Sequence, residues 1–523
     1  MMDRSHAASS SGGALTRKAK IESSGGGDRL SKLTDHALGH VLSFLPAEEA
    51  ARAAMLSSRW RHVFAAVHTV SLVEPEGPIR SYDDDNVCHT PEFQPSADPN
   101  APPSYNSIVS AAIMARQRRR GAVPLRALRV AVESYRSRDS LTVDQWVSYA
   151  VQQGAAAEEG LDLDLHLQCR SSTCEKSPDW WSRRSMEEYL ATWVIFSCAH
   201  LRSLSLSCCQ LSPPSTVTLP SLVTLLLSRV SDPGSEVERL VAGCPRLADL
   251  TLEACRAVTA LSIVGGARLR RLALRCCHNL TAVAVDSSEL QAFEYRGAMP
   301  DSSFLTMHGG STRIAYCKFD ICGGESMMNL WQLMQLFVNA KHLHLESSHL
   351  SSGINWGVPI GFPSFWSLLH LEMRGCLPDD DTGGAAIAAV STVLELAPNL
   401  ETLSLAFHAQ EHDSGGRPDY MYLSEEVALE AHHLSYNPHS ALATPPTSAA
   451  MIPCLRNKVR EMNLVHYQGG TAQRVLAKFL LSNAPVIDRL WCEFAEGPMW
   501  TQTQLMREMK GWLINKSAET HFA

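Results

Sequence analysis

The 523-residue chain lacks any apolar run of the roughly 18 to 20 residues that a helix needs to cross a bilayer. Its first twenty residues, MMDRSHAASSSGGALTRKAK, also lack the apolar core of a signal peptide. A formal net charge of −8 does not provide the dominant basic face that a general nucleic-acid binder needs. We therefore expect a cytoplasmic or nuclear protein, or one found in both compartments, with neither a membrane nor a nucleic acid as partner.

Signatures of metal binding and catalysis are also missing. None of the 15 cysteines has the paired C-x-x-C spacing of a zinc site, and several lie beside strand-like runs, where cysteine serves as a small apolar residue. Neither a G-x-S-x-G nor an H-E-x-x-H motif occurs. His342 and His344 lie two residues apart, without a third ligand at a telling distance. We predict a non-catalytic protein that needs no metal or cofactor.

The N-terminal region divides into a polar tail and a helical module. Residues 1–27 are rich in Ser and Gly and are predicted to form a disordered tail. Over residues 28–68, Thr34 and Ser57 can cap helices, and Pro46 ends the first helix. Apolar residues recur there at helical spacing: Leu38, Val41, Leu42 and Leu45, then Trp60, Val63, Phe64 and Val67. The pattern predicts three short helices with a core too small to be very stable alone.

The same module carries a recognisable motif. The segment DRLSKLTDHALGHVLSFLP, from Asp28 to Pro46, continues to AAMLSSRWRH at residues 53–62 and closely resembles the F-box. The match is in order and without gaps, except that Thr34 stands where the family usually has proline. This resemblance implies docking on a Skp-type adaptor, which bridges to a cullin and its RING partner.

The resemblance also implies which side chains form the docking face or support it. Leu33 and Pro46 lie at helix ends and are the better interface candidates, whereas Leu42 and Trp60 are equally compatible with the core of the bundle. By position in the motif, the candidate adaptor-binding residues are Leu33, Leu38, Val41, Leu42, Leu45, Pro46, Leu56 and Trp60.

The rest of the chain repeats the pattern L-x-x-L-x-L. From Leu201 to Ala340 the steps between copies are 21, 25, 22, 21, 24 and 26 residues, which is the period of leucine-rich repeats. Strands of a sandwich would need turns about every 8 to 12 residues. The first positions of the copies are Leu125, Leu201, Leu222, Leu247, Leu269, Leu290, Ile314, Ala340, Leu368, Leu400, Val459 and Ile487. With helical patterns between the strands, the chain is predicted to be α/β: a small three-helix F-box followed by a horseshoe solenoid with parallel strands on its concave side.

Domain limits follow from where the period holds. We predict an F-box over residues 28–68 and a solenoid over residues 69–455, with insertions at 74–103 and 411–451. Residues 459–487 resemble the FBD-type region that ends many plant F-box repeat proteins. We therefore assign residues 456–500 to FBD-like terminal repeats and residues 501–523 to a C-terminal tail.

The predicted target surface is the residue between the two strand leucines of each repeat. This row is mixed in charge and indicates no class of ligand. It comprises Ser205, Leu226, Thr251, Ala273, Glu294, Lys318, His344, Glu372 and Ser404. The resemblance implies a substrate-recognition adaptor of an SCF-type (Skp–cullin–F-box) ubiquitin ligase, in which the repeats hold a target protein. Two alternatives stay open: a leucine-rich repeat interaction scaffold without ligase activity, and a small-molecule receptor.

Overall fold

A computed structural model describes most of the repeat region and part of the N-terminal module. The described residues are 32–45, 49, 59, 63, 67–74, 105–117, 123–132, 135–155, 160–167, 188–264, 268–286, 288–298, 300–309, 314–321, 328–350, 358–359, 361–377, 383–407, 433–438, 442 and 452–523. The predicted tail over 1–27, nearly all of the first insertion and most of the second lie outside this part of the chain.

The described part of the N-terminal module contains its first helix. Thr34 caps this helix, as predicted, because its Oγ1 accepts a hydrogen bond from the Ala37 N–H at 3.3 Å. Leu38 and Leu42 pack against Val63 and Val67, and the four form a hydrophobic cluster separate from the main core. Most residues of the predicted second and third helices lie outside the described residues.

The described helices alternate with strands along the chain. They are Asp35–Leu42 (α1), Tyr105–Gln117 (α2), Ser140–Gly154 (α3), Gly234–Ala242 (α4), Met328–Gln335 (α5), Gly384–Glu395 (α6), Pro453–Asn457 (α7), Thr471–Leu481 (α8) and Met499–Trp512 (α9), with single 3-10 turns at Ser137–Asp139 and Ile195–Ser197. Among these helices none is long and apolar enough to cross a membrane.

The described strands are short and evenly spaced. They are Thr69–Val73 (β1), Ala127–Val132 (β2), Leu161–Leu167 (β3), Tyr189–Leu190 (β4), Leu201–Ser207 (β5), Cys209–Gln210 (β6), Thr224–Ser228 (β7), Asp249–Glu253 (β8), Ala260–Ile263 (β9), Arg271–Arg275 (β10), Ala282–Asp286 (β11), Ala292–Gly297 (β12), Leu305–His308 (β13), Tyr316–Ile321 (β14), His342–His349 (β15), His370–Cys376 (β16), Thr402–Phe407 (β17), Glu461–Tyr467 (β18), Arg489–Phe494 (β19) and Glu519–Phe522 (β20).

Fifteen of the described strands form one parallel sheet. Its order is β1-β2-β3-β5-β7-β8-β10-β12-β14-β15-β16-β17-β18-β19-β20, so each repeat pairs only with its neighbours. The remaining described strands form two small parallel sheets, β9-β11-β13 and β4-β6. Strands lie about 4.8 Å apart, whereas packed helices need about 8–10 Å, so the main sheet must curve with its strands on the inside. The α/β solenoid predicted from the period is confirmed.

The core is a ladder of equivalent apolar residues. All twelve first positions predicted from the repeat are at most 2% exposed. In the strands, the register partners Leu250, Leu272 and Phe293 stack one above the next, and each is fully buried. Burying a leucine side chain contributes about 1.5–3 kcal/mol. One continuous core therefore runs the length of the solenoid, as a repeat of this period requires.

The strand ends share a strained backbone geometry. Cys208, Arg229, Ala254 and Cys276 directly follow successive strands and have φ between 52° and 55°, the left-handed region that L-residues avoid. The Arg229 N–H donates to the Glu253 carbonyl at 2.7 Å, and the Ala254 N–H donates to the Arg275 carbonyl at 2.7 Å. These bonds extend the ladder by one residue while the chain turns out of the sheet.

The tail predicted over residues 501–523 is wrong. Residues 499–512 form α9, and β20 pairs in parallel with β19 as the last strand of the sheet. Leu505, Met509 and Leu513 are buried, at the i, i+4, i+8 spacing of one helix face. The prediction failed because this strand carries Thr520 and Phe522 in place of the two strand leucines, so the repeat motif is not recognisable in it.

Candidate functional site

The outer face of α1 exposes apolar side chains. Leu33, Val41 and Phe44 are 37%, 45% and 76% exposed. Phe44 lies in the turn directly after α1, three residues beyond Val41, and its N–H donates to the Val41 carbonyl at 3.2 Å. The Phe44 ring packs edge-on against His40, with ring centroids 5.0 Å apart. These side chains make an apolar edge that faces solvent, which we call the α1 edge (Leu33, Val41 and Phe44).

Polar contacts hold the amino end of α1 in place beneath this edge. The Arg59 Nε donates to Asp35 Oδ1 at 3.0 Å, and the Arg59 guanidinium also donates to the Leu33 carbonyl. Arg59 thus ties the third segment of the F-box motif to the start of its first helix. With the Thr34 cap, the position of Leu33 beside α1 is defined.

The eight adaptor-binding candidates fall into three groups. Leu33 and Val41 are exposed on the α1 edge; Leu38 and Leu42 are buried in the small core, and Leu45 packs partly buried against it. The other three, Pro46, Leu56 and Trp60, lie outside the described residues. A side chain buried as deeply as Leu38 can support the face but cannot touch a partner. The docking role of the set stays a prediction.

Phe44 was missed by the sequence analysis. Its position three residues after Val41 could have indicated it, but the predicted apolar stripe ran through the inward residues Leu38, Leu42 and Leu45. Only the packing of α1 distinguishes the covered stripe from the exposed one.

The module joins the solenoid without an intervening linker. Val67 belongs to the core of the module, while the His68 carbonyl accepts hydrogen bonds from the N–H groups of Arg126 and Ala127 in the second repeat. The His68 N–H in turn donates to Ser43 Oγ at 3.3 Å. Arg116 of α2 is buried and donates to the carbonyls of Val67 and Val123. Because these bonds link both parts, the orientation of α1 relative to the sheet is defined.

On the strand face, the pairing register places the residues of the predicted row side by side, and their role in holding a target stays a prediction. Register pairing brings Glu294, Lys318, His344 and Glu372 side by side on β12, β14, β15 and β16. The row is less exposed than expected, since Glu294 and His344 are buried and the other two are half-buried. Carboxylates buried to this degree need partners.

Arginines from a neighbouring strand hold Glu294. Arg275 Nε lies 3.0 Å from one carboxylate oxygen, and Arg271 lies 3.3 Å from the other. Burial alone would raise the pKa of Glu294, but the hydrogen bonds from Arg275 and Arg271 hold this pKa below its usual value. The hydrogen bonds that Arg275 donates to Glu294 raise the pKa of Arg275, against the effect of its burial. These ion pairs link β10 to β12.

Ion pairs continue toward the C-terminus. Arg296 Nε lies 3.0 Å from Asp320, Lys318 Nζ lies 3.2 Å from Glu346, and Arg374 Nε lies 2.7 Å from Glu372. His344 sits between two of these carboxylates, with Nδ1 3.3 Å from Glu372 and Nε2 3.6 Å from Glu346. These pairs form a cross-strand network along the concave face.

Ring-bearing residues border this network. Tyr316, His342 and His370 are register partners on β14, β15 and β16. The two imidazoles are parallel to within 1°, with centroids 4.4 Å apart. Burial, together with His370 and Lys341, lowers the pKa of His342. This lowered pKa favours the neutral form of His342.

A Ser–His–Asp array lies near the other end of the face. His166 Nε2 is 2.7 Å from Asp164 Oδ1, and His166 Nδ1 is 3.0 Å from Ser207 Oγ. Burial alone would raise the pKa of Asp164, but the hydrogen bond from His166 leaves it below its usual value. Ser207 is 1% exposed, so its hydroxyl is closed to a substrate carbonyl. The array holds β3 to β5.

Part of the predicted 411–451 insertion docks on the last repeats. The N–H groups of Leu434 and Ser435 donate to the carbonyls of Glu496 and Gln468, both at 2.9 Å. Tyr436 donates to Glu508 at 3.0 Å and lies beneath the Arg474 guanidinium, 4.8 Å from the ring centroid. The described residues thus include a locally packed piece of this insertion. The rest of the insertion lies outside the described residues.

Among the described residues, no cluster of three or more His, Cys, Asp or Glu side chains could hold a metal ion. The described cysteines carry free thiols, and most are buried. Burial raises the pKa of Cys244 and of Cys454 to about 12 each, which keeps these thiols protonated and unreactive.

Comparison with known families agrees with this arrangement. The F-box domain model matches residues 30–68. The At1g61320/AtMIF1 leucine-rich repeat domain model matches residues 118–420, more than half of the chain. The chain belongs to the plant F-box/leucine-rich repeat family. The resemblance read from the motif and the repeat is thereby confirmed.

Relatives of this family occur in Arabidopsis thaliana. F-box/LRR-repeat protein At4g14103 is 29% identical over 238 residues, which cover 45% of this chain and 51% of that protein. F-box/LRR-repeat protein At2g42730 is 22% identical over 477 residues, covering 88% of this chain and 90% of that protein. A protein named F-box/FBD/LRR-repeat protein At3g59240 is 26% identical over 404 residues, 72% of this chain and 68% of its own length. The chain thus spans only about half of the first of these relatives.

Proposed function

We propose that the protein is the target-recognition subunit of a Skp–cullin–F-box ubiquitin ligase. In this proposal the α1 edge docks on a Skp-type adaptor, the adaptor links the protein to a cullin, and the strand face holds a target protein. The observation that carries the proposal is the apolar α1 edge, displayed on a capped helix of an F-box and left exposed to solvent.

The small size of the F-box core supports an obligate partner. The F-box model matches only residues 30–68, a segment too short to bury a large core of its own, and its described part includes the cluster of Leu38, Leu42, Val63 and Val67. Burying further apolar surface contributes roughly 25 cal/mol per Å². An adaptor that covers Phe44 and Val41 would therefore stabilise a module that can bury little by itself.

The proposed subunit itself performs no chemistry. A ligase of this kind works by proximity: it holds the target near the ubiquitin carrier and so raises the effective concentration of the reacting groups. Such a mechanism needs a fixed geometry between the adaptor-binding surface and the target-binding surface. The contacts of His68 and Arg116, which join the F-box to the second repeat, provide that geometry.

Adaptor binding by the purified full chain tests this proposal. We expect Phe44→Asp to weaken binding of a Skp-type adaptor at least about 30-fold in titration calorimetry, because a charge would replace a central apolar anchor. Leu141→Asp is the matched control, since Leu141 of α3 is 75% exposed but lies in the solenoid. It should bind as the wild type does.

Two outcomes would count against the proposal. Equal adaptor affinity of Phe44→Asp and wild type would remove the α1 edge from the interface. Absence of binding by the wild type itself would favour a repeat scaffold that does not engage a ligase.

A further inference from the structure

The two halves of the strand face differ in charge. On β1–β12, the in-register face positions carry five carboxylates and four arginines: Asp162, Asp164, Asp249, Glu253 and Glu294 against Arg129, Arg271, Arg275 and Arg296. On β14–β20, the corresponding positions carry six carboxylates and three fixed cations: Asp320, Glu346, Glu372, Glu461, Glu493 and Glu519 against Lys318, Arg374 and Arg489. We call the second set, with the ring-bearing residues beside it, the acidic half.

Exposed ring faces accompany this surplus of negative charge. Tyr316 and Trp491 are both more than one-third exposed, and Trp491 lies against His521, with centroids 5.8 Å apart. The His342–His370 stack lies beside Tyr316 in register. A planar guanidinium packs favourably on aromatic and imidazole faces, while a lysine ammonium interacts as a point charge.

A buried polar atom provides independent support for a ligand here. His344 is 6% exposed, and its Nε2 has no hydrogen-bond partner among the described residues. Its nearest carboxylate oxygen, on Glu346, is 3.6 Å away. Buried polar atoms without a partner are rare in native structures. A donor group bound between Glu346 and Glu372 would supply the missing partner.

We propose that the acidic half recognises an arginine-bearing basic segment of the target protein. The guanidinium stacks on the His342–His370 platform and donates to the carboxylates of Glu372 and Glu346. This inference rests on the proposed function, because it specifies the chemistry of the target that the strand face holds. A phosphorylated or acidic segment would be repelled by the same carboxylates.

The ion pairs that Glu346 and Glu372 already make do not prevent an incoming arginine from binding these carboxylates. The side chains of Lys318 and Glu346 are 23% and 22% exposed, and those of Arg374 and Glu372 are 39% and 35% exposed. Ion pairs that reach solvent are weak, since both partners remain partly hydrated. An incoming arginine can therefore take the place of Lys318 or Arg374 beside the carboxylate. The displaced side chain is then hydrated.

Peptide arrays test the inference with a defined probe. The purified full chain is applied to arrays of randomised 12-residue peptides that share one fixed central residue: arginine, lysine, citrulline or glutamate. We expect retention on the arginine array to exceed that on the citrulline array about tenfold, and to exceed that on the lysine array. The arginine preference should fall as salt rises from 0.05 to 0.5 M.

Matched variants locate the effect. Glu372→Gln and Glu346→Gln should each abolish the preference for arginine over citrulline, while His370→Asn should abolish the preference for arginine over lysine. Glu253→Gln is the control: Glu253 is half-buried and paired with Arg275 at 3.9 Å, but lies on β8 outside the acidic half. It should keep both preferences. Thermal melting of each variant confirms that the solenoid is folded.

Several results would overturn the inference: no preference for arginine, a preference that survives in both carboxamide variants, or equal loss in Glu253→Gln. Adaptor affinity is measured on the same preparations. If adaptor binding is kept and arginine selection is absent, the inference fails and the proposed function stands. If selection is present without adaptor binding, the proposed ligase role fails and the surface assignment stands.

Discussion

The F-box and the solenoid differ in how their apolar residues are buried. The described F-box cluster buries four residues and leaves Leu33, Val41 and Phe44 in water. The solenoid buries an equivalent apolar residue in every repeat, so its core grows with chain length. A core that grows repeat by repeat can stabilise itself, whereas the short F-box over residues 30–68 would, in the proposed function, bury further apolar surface against the adaptor.

The largest effect is expected in the solenoid core. Leu250→Ala should lower the free energy of unfolding by up to about 5 kcal/mol, because it leaves a cavity between Leu225 and Leu272 in the ladder. Leu38→Ala, in the F-box, should leave the main unfolding transition in place. Urea denaturation followed by circular dichroism measures both. If Leu38→Ala shifts the main transition as far as Leu250→Ala does, the two parts unfold as one unit.

The next effect compares a buried ion pair with an exposed one. Arg474 is buried and donates two hydrogen bonds to Glu508, whereas Arg59 and Asp35 of the F-box are both more than one-third exposed. Glu508→Gln should cost about 3 kcal/mol, because it leaves a buried cation without its counter-charge. Asp35→Asn should cost less than about 1 kcal/mol. Equal losses in denaturant titrations would contradict this distinction.

A smaller effect depends on pH. The pKa of Glu294 is lower in the folded chain than the usual glutamate value of 4.5, so its ion pair stabilises the fold above pH 4.5. That stability is lost as the pH falls through the folded-state pKa. At pH 7, Glu294→Gln should be less stable than wild type by about 1.5 kcal/mol. The difference should shrink in denaturation curves recorded at successively lower pH below 4.5. A difference that is independent of pH would mean that the charge of Glu294 is not responsible.

The smallest effect concerns the backbone. Ala254 has φ of 52°, which glycine adopts without a steric cost. Ala254→Gly should therefore raise the stability of the solenoid by about 0.5–1 kcal/mol, the reverse of the loss usual for glycine in a regular element. The thermal midpoint measures this change. A lower midpoint would show that relief of the positive-φ strain at residue 254 does not offset the added conformational freedom of the unfolded chain.

Much of the fold could be predicted from the sequence, because each repeat buries the same positions against its neighbours. That regularity is why the positions from Leu125 to Ile487 are all buried as expected. The prediction failed at residues 501–523, where Thr520 and Phe522 replace the leucines and only pairing with β19 defines the strand. Local pattern cannot identify a strand whose partner supplies most of its hydrogen bonds.

The candidate sites were less predictable, because exposure and pairing depend on which elements meet. The F-box motif identified α1 and its cap, but not that Phe44 would be exposed while Leu38 and Leu42 are covered. The row of residues between the strand leucines was identified from alternation alone. The ion-pair partners of its charged residues could not be predicted, because only the strand register places Arg275 beside Glu294.

By itself, the sequence determined the family, the repeat architecture and the residues that form its core, since burial in a solenoid follows a period of 20 to 30 residues along the chain. The tertiary structure alone decided which side of α1 stays in water, how the F-box is bonded to the second repeat, and where negative charge exceeds positive charge on the strand face. These properties join residues that are far apart in sequence. Their energies depend on distances of 3 to 4 Å, which only packing sets.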